Sequence, residues 1–344
     1  MKLGRIAVKG PDGPIPRLVV AQPEQQRVID LLTAERGRLE RQGATHEAAL
    51  RLATALFPPS MAAAIALGDM FLAAAAQAVE SADDEAIVPL ASMHLLSPLD
   101  PPLLRDFSAF LQHIRAMTQR MGQTFSEELL QVPFYYKGNP STIIAPEQEV
   151  RWPSYTRVMD YELELGFVIG KPGENLTPQN ALSHLFGVTI LNDFSARDVQ
   201  GPEMKTGFGP AKGKDFATAL GPWIVTPDEL DLGELTMLGR VNGEEWSRGS
   251  SATMTWSIAE LIAYASWGET LWPGELLGSG TVGTGAGAEH GKQLQPGDVV
   301  ELEVAGLGVL RNRIGQPEPR GWAPQRRPSQ TNGAVTHEEG GRAS

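Results

Sequence analysis

Glu162 and Glu164 stand two residues apart in the run DYELELGFVIG (160–170), and Asp193 closes the apolar run that opens LNDFSARDVQ (191–200). Side chains alternate along a strand, so carboxylates at this spacing project to one side of it. Carboxylates gathered at one point repel each other unless a cation sits among them. The pattern therefore points to a divalent metal held by oxygen, a group usually kept for chemistry. A half-exposed strand with a wet charged face is spelled the same way, and on these segments alone both readings stand. The chain has no cysteine, and its six histidines form no HExxH motif. Oxygen ligands alone select a hard cation, Mg²⁺, Ca²⁺ or Mn²⁺, over zinc.

A second constellation is DFSAFLQH, with Asp106 and His113 seven residues apart. Phe107, Phe110, Leu111 and Ile114 give an apolar stripe, and the spacing predicts a helix over about 102–121 with Asp106 and His113 on one face. A surface Asp and His with no shared task fit that helix equally well. Lys214, in GPAKGKDFATALGPWIVT, falls in a loop before a strand, where most lysines are simply solvated. Ser195 and Ser279 lack the GxSxG turn of a serine nucleophile. Gly278, Gly280 and Gly283 spell GxGxxG, but a dinucleotide fingerprint must open a helix. Here the chain runs on into a turn and the strand-like VVELEV, so no nicotinamide or flavin is expected.

Length and composition bound the frame for these residues. A chain of 344 residues suits one large core with a smaller appended module. The net charge of −12 argues against nucleic acid or an anionic membrane surface as partner, since both favour a basic face. An acidic chain still accommodates an anionic small substrate steered by a local cation. The absence of cysteine is compatible with a reducing cytoplasm, and MKLGRIAVKG lacks the apolar core of a signal peptide. The alanine-rich run 61–79 is the one candidate span, yet Asp69 at its middle would cost ~2.5–3.5 kcal/mol on insertion, so a helix of the folded protein is expected instead.

Two short strands are expected in 3–21 around GPDGPIP. A helical stretch should follow over 23–56, carried by Val28, Leu31, Leu32, Leu39, Ala49, Leu50, Ala53 and Leu56 and stopped by Pro58-Pro59. Another helix is expected over 60–79. Residues 1–88 thus form a small, mainly helical front module. Residues 89–315 are dominated by strand signals: STIIA, YELELGFVIG, HLFGVTILND, PWIVT, MLGRVN, VVELEVAG and GVLRNRIG. One amphipathic helix is expected at 257–267, begun by Ser257 with Glu260 in capping-box register. Many strands with few crossover helices imply a β-rich α+β fold. The Pro-, Gly-, Ser- and Arg-rich tail 316–344 is expected to be disordered.

In order along the chain, DYELELGFVIG, LNDFSARDVQ, GKDF followed by GPWIV, and GSGTVGTG followed by PGDVVELEV resemble the fumarylacetoacetate hydrolase family over about residues 90–315. The front module does not resemble the small β-barrel that precedes the core in fumarylacetoacetase itself. The resemblance implies a mixed β-roll and a homodimer. It implies that Glu162, Glu164 and Asp193 hold the metal, with Asp106 as fourth ligand and His113 as general base. It implies Glu289 as the partner of that histidine and Lys214 as the lysine beside the metal. Arg197, Gln200, Tyr136 and Thr281 correspond to substrate-contacting positions.

The chemistry implied is cleavage of a C–C bond beside a carbonyl in a β-diketo acid or acylpyruvate-type keto acid. His113 would take a proton from water, Glu289 would orient the ring, and Lys214 with Gln200 would stabilise the oxyanion. Arg197 would pair with a substrate carboxylate or a nearby acid. Two other readings stand beside this one: an α-keto acid decarboxylase or dehydratase on the same metal site, and a non-catalytic domain with a structural metal.

Overall fold

The strand Leu163–Ile169 is buried at every position, and its neighbours on both edges account for this. It pairs antiparallel with Leu185–Asp193 on one side and with Leu276–Gly278 on the other. Leu163, Leu165, Phe167 and Ile169 enter one hydrophobic core, whereas Val168 enters a second. A strand feeding two cores must be apolar on both faces, so any polar residue in it needs a reason to be there. The computed structural model describes residues 1–120, 122, 124–325 and 327.

The large sheet is mixed. Its order is Ile87–Pro89, Arg27–Asp30, Gly13–Gln22, Lys2–Gly10, Thr218–Val225, Leu185–Asp193, Leu163–Ile169, Leu276–Gly278, Leu104–Phe107 and Tyr135–Gly138. On one face lie the front helices, where Leu31, Phe57, Phe71 and Ala75 pack against Leu191, Leu220, Ile224 and Leu276. On the other lies a five-stranded sheet of Glu244–Ser250, Thr236–Val241, Val299–Val304, Gly308–Pro317 and Val150–Trp152. Met237, Val300, Leu302 and Leu310 of that sheet meet Leu163, Leu165 and Phe167. This is the β-rich α+β architecture expected from the sequence. The front segment hydrogen-bonds directly into the main sheet, because Lys2 and Leu3 pair with Val225 and Ile224. Among the described residues, no helix is long and apolar enough to cross a membrane.

Three expected helices are revised. The stretch 23–56 is a short 3₁₀ turn at Pro23–Gln25, a strand at Arg27–Asp30, and two helices, Leu31–Arg41 and His46–Leu56. Val28 and Ile29 pair across the sheet with Ala21 and Val20, and Asp30 then caps the first helix through the amides of Leu32 and Thr33. A cap of this kind contributes about 1 kcal/mol. The stretch 60–79 is broken into Met61–Ile65 and Asp69–Glu80 at Gly68, whose φ of +63° suits glycine. The stretch 102–121 is a strand, Leu104–Phe107, followed by a helix, Leu111–Arg120. Asp106 and His113 therefore do not share a helix face. The strand wins because Leu104, Arg105 and Asp106 find ready edges on both sides, parallel to Leu276–Gly278 and antiparallel to Tyr136–Gly138. The helix capped by Ser257 and Glu260 forms as expected, over Ile258–Ala265. The last strand carries the chain through Pro317, and most of the expected disordered tail lies outside the described residues.

Candidate metal centre and its histidine

Sheet register, more than any single motif, gathers the site. Residues paired across neighbouring strands project to the same face. Glu164 pairs with Leu191, Gly166 with Gly278, Gly278 with Asp106, and Asp106 with Tyr136. Asp193 lies two residues beyond Leu191, and its amide donates to the carbonyl of Glu162 at 3.3 Å. The side chains of Asp106, Glu164 and Asp193 consequently meet on the helix-covered face, with one carboxylate oxygen from each within 4.8 Å of the others. All three are buried. Gly278 makes the meeting sterically feasible: a Cβ there would lie 2.2 Å from Asp106 Oδ1 and 3.3 Å from Glu164 Oε2.

Electrostatics shows what the cluster lacks. Burial, reinforced by repulsion from Asp193, pushes the Asp106 carboxyl well above the ordinary carboxylate range. Burial and the neighbouring Asp106, Glu162 and Asp193 do the same to Glu164. Burial also raises Asp193, against the pull of Lys214. Such groups must either keep protons or receive a cation. Glu164 Oε2 and Asp193 Oδ1 are buried and accept no hydrogen bond. Orphaned buried acceptors on an all-oxygen donor set fit a hard divalent ion. Three of the other oxygens accept hydrogen bonds: Thr281 Oγ1 donates to Glu164 Oε1 at 3.1 Å, Tyr136 Oη to Asp193 Oδ2 at 2.6 Å, and the Gly280 amide to Asp106 Oδ1 at 3.3 Å.

Glu162 stands apart from these three. One oxygen accepts from Lys214 Nζ, and the other lies 2.8 Å from Arg197 Nη1. Burial raises this carboxyl, but Lys214, Arg197 and His113 outweigh it and hold it down to about 2. Lys214 also reaches Asp193 Oδ2 at 2.6 Å, so its ammonium bridges two carboxylates in a water-poor site. Burial disfavours that ammonium, yet Asp193 and Glu162 keep its pKa above the ordinary lysine range. Arg197 donates from Nε and Nη2 to Asp160, and from Nη1 to Gln200 at 3.0 Å. Of its two expected partners, a substrate carboxylate or a nearby acid, the structure shows nearby acids.

His113 is a buried residue of the helix Leu111–Arg120. Its Nδ1 lies 2.7 Å from Glu289 Oε1. Burial raises the Glu289 carboxyl, but the hydrogen bond from His113 and the amides of Thr284 and Ala286 bring it below the ordinary range. Glu289 is then a carboxylate and can only accept, so Nδ1 carries a proton in either charge state of the ring, and in the neutral form Nε2 carries the lone pair. Nε2 faces the cluster, 3.6 Å from Glu162 Oε1.

Two polar residues of this neighbourhood were not singled out in the sequence. Asp160 is one, although its spacing with Glu162 and Glu164 repeats their own two-residue period. Glu203 is the other: its carboxylate accepts the amides of Ala211, Lys212 and Gly213 at 2.8–3.0 Å and pins the loop that presents Lys214. No sequence signal marked that role.

Fold and site define a class: a β-rich protein with a buried carboxylate cluster suited to a hard cation and a histidine facing it. The model for the fumarylacetoacetate (FAA) hydrolase C-terminal domain matches residues 103–315, and the chain belongs to that family. It is 31% identical over 301 residues to oxaloacetate tautomerase YisK of Bacillus subtilis (strain 168), which covers 85% of this chain and 94% of that relative. It is 36% identical over 190 residues to 2,4-didehydro-3-deoxy-L-rhamnonate hydrolase of Sphingomonas sp. (strain SKA58), covering 54% of this chain and 65% of that one. The solved structure of a fumarylacetoacetate hydrolase from Exiguobacterium antarcticum superposes with a TM-score of 0.67 at 27% identity, over 92% of this chain and 99% of that one. The family thus includes both hydrolases and tautomerases.

Proposed function

We propose that this chain is a divalent-metal-dependent hydrolase that cleaves a C–C bond in a β-diketo acid or acylpyruvate-type substrate. The observation that carries this reading is the His113–Glu289 pair, which turns the Nε2 lone pair toward a carboxylate cluster with orphaned oxygens. Asp106, Glu164 and Asp193 would hold the ion, with Glu162 as fourth ligand once it exchanges Lys214 for the ion. Mg²⁺ is the first choice, and Ca²⁺ or Mn²⁺ satisfies the same donors. A bound divalent ion supplies Lewis-acid polarisation of the chelating keto oxygens.

The residues of the chain account for the rest. His113 Nε2 takes a proton from water while Glu289 steadies the resulting imidazolium. The water oxygen bonds to the distal carbonyl carbon, and Lys214 with Gln200 stabilises the oxyanion that forms. The C–C bond then breaks, and its electron pair leaves with the keto-acid fragment as an enolate. That carbon recovers the proton held by His113. Tyr136 and Thr281, each bonded to a cluster carboxylate, would contact the substrate. The homodimer implied by the family resemblance is part of the proposal.

A second reading is keto–enol tautomerisation of oxaloacetate. It is favoured by the relative that aligns over nearly its whole length, which carries that activity in its name. The two readings share the enolate and differ in whether His113 serves water or carbon. Incubation of the Mg²⁺-loaded protein with acetylpyruvate and, separately, with enol-oxaloacetate distinguishes them. Release of acetate and pyruvate supports the hydrolase. Loss of enol absorbance without cleavage supports the tautomerase, and CO₂ release would instead indicate the decarboxylase.

A further inference from the structure

Asp160 has no role in the reaction as written, yet it is buried at 1% exposure beside the site. Its Oδ2 accepts from Arg197 Nε at 2.9 Å, from Arg197 Nη2 at 2.6 Å, and from the amide of Ala288 at 3.1 Å. Its Oδ1 accepts the amide of Tyr161 at 3.0 Å. Two of these partners lead to the same ring. Ala288 belongs to the turn Gly287–His290, which carries Glu289, the acceptor on His113 Nδ1. Arg197 extends Nη1 to Glu162 Oε1, the oxygen 3.6 Å from His113 Nε2. One carboxylate therefore anchors both arms that flank the imidazole. Gly287 permits the contact, since a Cβ at that position would stand 2.8 Å from Asp160 Oδ1.

We propose that Asp160 is a positioning residue for the His113 imidazole, holding Glu289 toward Nδ1 through the Gly287–His290 turn and Glu162 toward Nε2 through Arg197. This rests on the reading of His113 as the base. A guanidinium is planar and rigid, so gripping its Nε edge fixes where its remaining nitrogen points. The Ala288 amide does the same for the turn. Both Asp160 oxygens are taken up by Arg197 and by the amides of Tyr161 and Ala288, so its effect reaches the reaction through the ring.

The test uses the full-length, Mg²⁺-loaded protein, with acetylpyruvate and enol-oxaloacetate as probes. The set is Asp160→Asn, Gly287→Ala, His113→Ala and the Asp160→Asn/His113→Ala double variant. Asp160→Asn is expected to lower kcat by about 10²-fold, the scale of a 1 Å misplacement of a reacting group, with KM and Mg²⁺ affinity near wild type. Gly287→Ala is expected to move kcat in the same direction while the carboxylate is retained, and it carries the test if Asp160→Asn does not fold. In the His113→Ala background, Asp160→Asn should cost nothing further, the signature of two residues acting as one unit. The ¹⁵N spectrum of the imidazole gives a readout without substrate: one tautomer, protonated at Nδ1, in wild type and a mixture in Asp160→Asn. A wild-type kcat in Asp160→Asn beside an inactive His113→Ala overturns this proposal alone. An equal loss with and without His113 overturns it as well. A wild-type kcat in His113→Ala overturns the base reading and this proposal together.

Discussion

His113 and Glu289 lie 176 positions apart in the chain and meet at 2.7 Å, with the carboxylate further fixed by the amides of Thr284 and Ala286. Every neighbour of that carboxylate is a donor. In Glu289→Gln, an amide nitrogen must therefore face either Thr284 N–H or the Ala286 and His113 donors. The first orientation leaves the Thr284 amide unpaired, and the second drives the ring toward the tautomer with its proton on Nε2, where it no longer accepts. We expect kcat to fall by about 10²-fold or more, with Mg²⁺ affinity unchanged. Steady-state kinetics alongside calorimetric Mg²⁺ titration checks this, and undiminished turnover would remove Glu289 from the dyad.

The raised carboxyls make stability depend on pH in a defined direction. Asp106, Glu164 and Asp193 have folded-state pKa values above their unfolded values of about 4. The folded chain then keeps protons that the unfolded chain releases, so these groups destabilise it as pH rises past about 4. Glu162, held to about 2, works the opposite way, but its contribution is already complete above about 4.3 and is lost only as pH falls toward 2. Between pH 5 and 8 the metal-free protein should therefore melt at lower temperature as pH increases. Mg²⁺ should oppose this, with a stabilisation that grows with pH, because ligand carboxylates must be deprotonated. Thermal scans with EDTA or Mg²⁺ across that range test it; melting that ignores Mg²⁺ at every pH would contradict a metal at the cluster.

Much of this site was spelled locally. Glu162, Glu164 and Asp193 sit at strand spacing in apolar runs; Glu164 and Asp193 lie in the strands expected there, and Glu162 lies one residue before the first of them. What the sequence hid depended on partners far away. The apolar stripe of residues 104–114 fits a helix, but Leu104–Phe107 is a strand because Leu276–Gly278 and Tyr135–Gly138 supply its edges. Arg27–Asp30 is the same case, captured by Gly13–Gln22 and Ile87–Pro89. The engagement of Glu162 by Lys214 and Arg197 depends on loop geometry that no periodicity encodes.

Gly278 offers a steric test of the cluster. In Gly278→Ala the new methyl would overlap Asp106 Oδ1 and press on Glu164 Oε2. Both atoms belong to buried side chains with little room to move, so the carboxylates must separate. Mg²⁺ affinity should drop at least 10-fold, the lower end seen when the surroundings of a metal site are disturbed. Activity should fall with it and recover partly at high Mg²⁺. Wild-type affinity in this variant would mean that Asp106 and Glu164 do not share an ion.

Glu203 should act through the loop it pins. Glu203→Ala removes the acceptor of three amides and frees the segment that precedes Lys214. The loop is partly exposed, so water replaces those bonds and the global fold should be little affected. The expected phenotype is a loss of several-fold in kcat/KM with a melting temperature close to wild type. Faster proteolytic nicking within 205–213 would accompany it. Kinetics together with limited proteolysis decides, and an unchanged cleavage pattern would count against the pinning role.

Lys214 tests whether the site needs a cation for its own stability. Its ammonium is buried between Glu162 and Asp193, whose nearest other partners among the described residues are Arg197 for Glu162 and Tyr136 for Asp193. Lys214→Met keeps most of the side-chain volume but deletes the charge, leaving two buried carboxylates facing each other. Breaking a buried ion cluster from one side costs about 3–5 kcal/mol, so metal-free Lys214→Met should unfold at markedly lower urea than metal-free wild type. A divalent ion neutralises the same carboxylates, and Mg²⁺ should therefore restore more stability to the variant than it adds to wild type. Turnover should stay low even when Mg²⁺ has restored the fold, since the ion does not replace the donor proposed for the oxyanion. Equal urea midpoints for the two metal-free proteins would show that Lys214 does not balance these charges.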